Sequence, residues 1–328
     1  MKDKNRIIFI GSMVLLILIF IISLTVGKYS ISIEEIVNII NGSEADEMSK
    51  KVFFNLRLPR IIMALLSGVG LSMSGSIYQT IFKNSLAAPD LIGVSSGANA
   101  GAALAIVCFQ GGILASIFSS FVGGIIAVLS VICLSSLIKQ RSSATYILSG
   151  IAIKAIADAI IMTMKYFADP EKQLATIDYW TMGSFSNITL SKLQGILPIF
   201  LIGLLGISLL RWQINLLSLD DDEAKMLGVR VSFVRCLVLL NSTLLVASTV
   251  CVTGVISFIG LVAPHIARML LKKSDFSTCI LSGIIGGIIL LFADCLARSL
   301  AGSEIPISIL TSAIGVPFLV YLLYKQGR

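Results

Sequence analysis

The sequence predicts an all-α, polytopic membrane protein of about ten transmembrane helices, and three observations carry that prediction. The 328 residues are 56% hydrophobic and only 13% charged, with a mean hydropathy of +0.96, a balance that a soluble chain of this size does not show. The apolar residues gather into runs of about 20, long enough to cross a bilayer as helices. Helices also satisfy their own backbone groups in lipid. Finally, Lys and Arg are distributed asymmetrically among the connections between the runs.

The first run, 7–26, follows a basic Met1–Arg6 segment. It is read as a retained helix rather than a signal peptide, because no clean small-residue cleavage site follows. The second run is Ile61–Phe82, 22 residues without a charged side chain. Ala64, Gly68, Ser72 and Ser76 recur there every four positions and form one ridge of small residues, as close helix packing in lipid requires. Gln79 lies beside the ridge. Its amide either lines a pathway or makes an interhelical hydrogen bond. The turn Lys83–Gly93 follows, punctuated by Asn84 and Pro89.

Further runs fall at 91–109, 112–138, 144–167, 191–210, 234–252, 255–271, 277–297 and 305–324. The break between the runs ending at 252 and starting at 255 is marked only by Thr253-Gly254. With the N terminus inside, the inner segments hold fifteen Lys and Arg and the outer ones nine, five of them in the single long loop expected over 27–60. The bias puts both termini in the cytoplasm and accounts for most of the net charge of +7. No basic tract with interleaved aromatics points to nucleic acid. Lys154 and Asp158 lie one turn apart within the fifth run. They either line a path or only neutralise each other.

The six cysteines are scattered without a CxxC pair and read as packing residues, and the lone His265 reads as a hydrogen-bonded or interfacial residue. No Walker loop, HExxH or nucleophile elbow is present. The chain is therefore expected to bind no cofactor or metal and to carry no catalytic residue. In the segment 211–235, Ser218 and Asp221 read as a capping box and Asp220 to Glu223 place negative charge at a helix N terminus. Gly228 is a stop. A cytoplasmic helix of two to three turns is expected within about 216–230.

Taken together, the motifs resemble the permease family of binding-protein-dependent ABC importers for iron–siderophore complexes, haem and cobalamin. The resemblance rests on RLPR (Arg57–Arg60), the small-residue helix ending in Gln79, and NSLAAPDLIGVSSGA (Asn84–Ala98). It continues in YWTMGSF (Tyr179–Phe185), LLSLDDDEAKMLGV (Leu216–Val229), SFIGLVAPHIAR (Ser257–Arg268) and the stretch Ala293–Leu323. Ser85 stands where the family commonly has proline.

The resemblance implies a single permease domain over 1–328, in the bacterial cytoplasmic membrane, that translocates an iron–siderophore complex or haem by alternating access; cobalamin is the alternative. It implies a second permease subunit, identical or paralogous, two ATPase subunits that bind the ATP, and an extracytoplasmic substrate-binding protein. Arg57, Arg60 and Arg298 match the outward arginines that receive the binding protein's carboxylates. The competing readings are arginines that snorkel to the headgroups and, for Arg298, an intrahelical pair with Asp294. Asp221, Glu223, Ala224, Leu227 and Gly228 match the helix that docks on the ATPase. Asn84, Leu86, Ser142 and Ser143, with Gln79, are pathway or gate candidates. Two rivals are an ion-coupled secondary transporter, which would keep intramembrane acids for coupling, and a membrane-embedded enzyme, which a single histidine argues against.

Overall fold

The computed structural model describes residues 2–27, 29–42, 46–109, 112–138, 143–300 and 304–326. Among them all regular structure is helical. Seven helices are long and apolar enough to cross a membrane, and three shorter apolar helices bring the number to ten. In chain order the ten are α1 (Lys2–Thr25), α4 (Leu58–Ile81), α5 (Val94–Cys108), α6 (Ile113–Leu137), α7 (Ser143–Phe167), α9 (Leu190–Leu209), α12 (Val231–Thr253), α13 (Ile259–Leu271), α14 (Phe276–Ser299) and α15 (Ile307–Gln326). The short helices between them are α2 (Ile33–Ile40), α3 (Glu47–Val52), α8 (Ala175–Met182), α10 (Arg211–Leu217) and α11 (Asp221–Met226).

Burial sorts these helices into a centre and a rim. The apolar windows of α4, α12 and α14 are 78%, 72% and 72% buried, whereas those of α1 and α7 are 6% and 17% buried. Small residues put α4 at the centre. A Cβ added at Gly68 would fall on the backbone of Gly286 in α14, and one at Gly75 on the carbonyl of Gly260 in α13. Ser282 Oγ donates to the Ser72 carbonyl across the α14–α4 contact at 2.8 Å. Where lipid provides little hydrophobic drive, such backbone approach and interhelical bonding hold the bundle.

The break after Thr253 is real and has a cause. Gly254 adopts φ +72° and packs against the Trp180 carbonyl so closely that no side chain fits. Ser184 N–H donates to the Thr253 carbonyl at 2.7 Å and Ile307 N–H to the Gly183 carbonyl at 3.0 Å. The Gly183–Ser184 part of the YWTMGSF motif thus clamps the ends of α12 and α15. Phe258, at φ 68°, then turns the chain into α13.

Two expectations need correction. The segment 27–60 is not simply a long loop. It contains α2, whose N terminus carries a reciprocal Ser32–Glu35 capping box, and α3, which runs through a π-helical turn, Phe53–Arg57, into α4. The helix expected within 216–230 is also shorter than two turns, and its cap is Asp220, not Ser218. Ser218 Oγ instead donates back to the Asn215 carbonyl at 2.6 Å.

Candidate functional site

The three arginines singled out separately converge on one cavity of about 270 Å³, lined also by Tyr29, Ser186 and Glu304. The end of α1, the π-helical turn, the start of α4 and the end of α14 bring them together. None snorkels: Arg57, Arg60 and Arg298 are 5%, 8% and 6% exposed. Arg60 Nε donates to Asp294 Oδ1 at 2.8 Å, and its Nη1 donates to both carboxylate oxygens of Glu304 at 2.8 and 2.9 Å.

Arg298 Nε lies 3.1 Å from Asp294 Oδ2, although its hydrogen points to the Asp294 carbonyl oxygen at 3.3 Å. Its Nη2 donates to Ser23 Oγ at 2.8 Å. The intrahelical pair is therefore present, but Asp294 is shared with Arg60. The Arg57 guanidinium donates to carbonyl oxygens of Leu24, Thr25 and Tyr29, at 2.7 Å for Leu24. Three guanidiniums thus face two carboxylates, which leaves a cavity of net positive charge. Glu304 had no sequence signal, because it lies in a connection ten residues beyond Asp294.

At the other end of α4, Gln79 is 2% exposed. Its Oε1 accepts from Arg268 and its Nε2 lies 3.4 Å from the Leu261 carbonyl, both on α13. The amide thus makes interhelical bonds to α13. His265, on the same helix, sets its ring edge-on to Phe318 at 5.9 Å.

The turn after α4 is built locally. Lys83 takes φ 48°, and Asn84 Oδ1 accepts from Leu86 N–H at 2.9 Å. Pro89 opens a 3-10 turn that Gly93 ends at φ 83°. Leu86 and Asp90 line a cavity of about 350 Å³ with Phe258, Gly260 and Leu319. Asp90 accepts from Ser95 Oγ at 2.5 Å. Lys154 lies one turn from Asp158 on α7, and its backbone nitrogen lies beside Gly93 of this turn. Ser142 lies outside the described residues, and Ser143 is the first residue of α7.

Helix α11 lies on the same face as this turn. Its N terminus carries the reciprocal Asp220–Glu223 box. Its C terminus is a Schellman stop, in which Val229 N–H donates to the Ala224 carbonyl at 3.1 Å and Gly228 N–H to the Lys225 carbonyl at 2.9 Å. Gly228, at φ 82°, supplies the left-handed residue. Ala224 is buried, whereas Met226 and Leu227 are 87% and 61% exposed. Lys225 holds the Asp222 carboxyl below its usual range through a 2.8 Å pair. Lys83 Nζ lies 2.8 Å from Asp220 Oδ1, and Arg235 Nη2 donates to Asp221 at 3.0 and 3.1 Å. Lys83 was missed as a partner because it lies 137 positions from Asp220, and Arg235 because it sits on the next membrane helix, whose contact with α11 only the fold shows.

Comparison with known proteins places this geometry among transporters. The model of a FecCD transport family matches residues 15–325. The chain is 39% identical over 331 residues to a molybdate import system permease of Haemophilus influenzae, covering 99% of this chain and 98% of the relative. It is 36% identical over 324 residues to a hemin transport permease of Yersinia pestis, covering 96% and 94%. A solved structure described as an inward-facing, putative metal-chelate type ABC transporter superposes with a TM-score of 0.87 at 37% identity, covering 98% of this chain and 99% of that one.

Proposed function

The chain belongs to the FecCD transport family, and from that premise we propose that it carries an iron–siderophore complex or haem across the cytoplasmic membrane as a permease subunit of an ABC importer. Such a permease works with a partner permease, an ATPase and a binding protein. One observation carries the mechanism. A single continuous helix, α4, joins the positively charged arginine cavity at one end to the turn beside α11 at the other.

In this reading the arginine face is outside and receives the binding protein's carboxylates. A planar guanidinium suits that recognition. The α11 face is inside and meets the ATPase through Glu223, Leu227 and Gly228, with Ala224 seating the helix and Asp221 anchoring it. ATP is bound and hydrolysed by the partner. Asn84 and Leu86 act at the inner gate, with Ser142 and Ser143 opposite them, and Gln79 braces α4 against α13. The largely uncovered α7 carries Lys154 and Asp158, and ionisable groups at that depth face protein or water rather than lipid. This supports a second permease subunit, identical or paralogous, against that helix. Selectivity lies in the soluble receptor, so the permease requires no tight ligand site of its own.

A second cargo, molybdate, is favoured by the 39% identical relative. Uptake by cells with and without this chain, measured with a radiolabelled ferric siderophore, haem and molybdate, decides between them. Chain-dependent uptake of the iron chelate or haem is the expected result; uptake of molybdate alone would replace the first reading with the second. Charge reversal at Arg57 and Arg60 should weaken binding-protein association about tenfold or more (~1.4 kcal/mol). Unchanged association of a folded variant sinks the docking role. The substitution Leu227→Arg should abolish copurification of the ATPase.

A further inference from the structure

Helix α11 is too short to hold itself against the membrane-spanning helices by packing, since Ala224 is the one buried residue of its six. Its carboxylates are tied instead to two cations from other elements. Lys83 Nζ sits 2.8 Å from Asp220 Oδ1 and 3.6 Å from Asp221 Oδ1. Arg235 reaches both oxygens of Asp221.

These two cations lead to the same place. Lys83 directly follows Phe82, the cap of α4, and directly precedes Asn84, the first residue of the built turn. Arg235, on the first turns of α12, is 1% exposed. Its guanidinium lies 5.6 Å from the centre of the Tyr146 ring on α7, and that ring lies 5.8 Å from the ring of Phe82. Asp221 thus bonds Arg235 of α12 and lies 3.6 Å from Lys83 at the end of α4, and Arg235 in turn reaches Tyr146 of α7. An exposed ion pair would hold little, but Arg235 is buried, and a buried charge does not leave its partner without a large penalty.

We propose that Lys83 and Arg235, acting through Asp221, are positioning residues that deliver a displacement of α11 to the turn at Asn84–Pro89. Without them, α11 would be joined to α10 and α12 only through its own short connections. The proposal rests on the reading that α11 is the contact with the ATPase, and it names the route from that contact to the gate. Coupling of this kind requires one element whose position both sites bias, and the Lys83–Asn84 junction is that element.

The test uses the reconstituted permease–ATPase complex, with Cys108 and Cys133 replaced by serine and the exposed Leu86 replaced by cysteine as a reporter of the turn. Maleimide labelling of the reporter is timed with and without ATP, and ATP hydrolysis is measured in parallel. With Lys83 intact, ATP changes the labelling rate. In Lys83→Met the complex still assembles and hydrolyses ATP, but the ATP-dependent change shrinks about fivefold or more. Lys83→Arg, which keeps the charge, restores it. An undiminished change in Lys83→Met, or no change even with Lys83 intact, overturns the proposal. Loss of ATPase assembly in Lys83→Met also overturns it, because the network would then be only a docking support. The docking reading itself stands or falls separately, on copurification of the Leu227→Arg variant.

Discussion

Asp294 has no exposed surface and sits between two guanidiniums, of which Arg60 contacts one of its oxygens at 2.8 Å and Arg298 the other at 3.1 Å. Both buried cations are balanced in part by that carboxylate, Arg60 sharing its charge with Glu304 as well. Asp294→Asn should therefore destabilise the protein by about 3 kcal/mol or more, the cost of leaving a buried charge without its partner. Thermal unfolding in detergent measures it, and a melting temperature equal to the parent's would show that the arginines relax to solvent. Glu304 differs, because its side chain is 30% exposed and it occupies Arg60 in the manner of an incoming carboxylate. If the arginine cavity docks the binding protein, Glu304→Gln frees a donor and tightens association, by about threefold to tenfold. Weaker association in a titration with the purified binding protein would mean that Glu304 orients Arg60 rather than competing for it.

At the scale of helices, glycine position decides packing more than glycine number. Gly75 faces the Gly260 carbonyl with no room for a methyl group, whereas Gly195 on α9 has nothing within 4 Å of an added Cβ. Gly75→Ala should cost about 1–3 kcal/mol through the forced separation of α4 and α13. Gly195→Ala should be neutral or stabilising by about 0.5 kcal/mol, because the helix loses less backbone freedom on folding. Paired thermal melts check the contrast, and equal losses would contradict the packing account. The ridge Ala64–Gly68–Ser72–Ser76 was legible in the sequence because a four-residue recurrence needs no knowledge of the partner. That the partners are α14 and α13 was not, since helices more than 180 residues away share no local signal with α4. The same limit applies to α11. Its charged N terminus and Gly228 stop were readable, but the choice of Asp220 over Ser218 as cap depended on where α10 ended.

Across the whole molecule, the arginine cavity and α11 occupy opposite ends of α4, so the faces of the bundle are chemically unlike. The distribution of Lys and Arg is the basis on which we propose that the α11 face is cytoplasmic. A cysteine at Met226, 87% exposed, in a background lacking the exposed Cys108 and Cys133, should react with a membrane-impermeant maleimide in inverted vesicles and not in intact cells. The opposite pattern would reverse the proposed sidedness. The uneven burial of the helices belongs to this scale as well: α7 is largely uncovered while α4, α12 and α14 are enclosed.

By itself the sequence determined the number and approximate bounds of the membrane helices, the small-residue face of α4, the break at Gly254 and the resemblance that led to the family. All of these follow from hydropathy, local backbone chemistry or contiguous motifs, and each is carried by neighbouring residues. Only the tertiary structure decided that Arg57, Arg60 and Arg298 share one cavity with Asp294 and Glu304, that Gln79 bonds to α13, and that Lys83 and Arg235 meet at Asp221. Those charges are paired across as many as 244 positions of chain. A buried ion pair is set by which helices touch, and helix contact in lipid depends on backbone approach at a few small residues rather than on any pattern shared by the two partners.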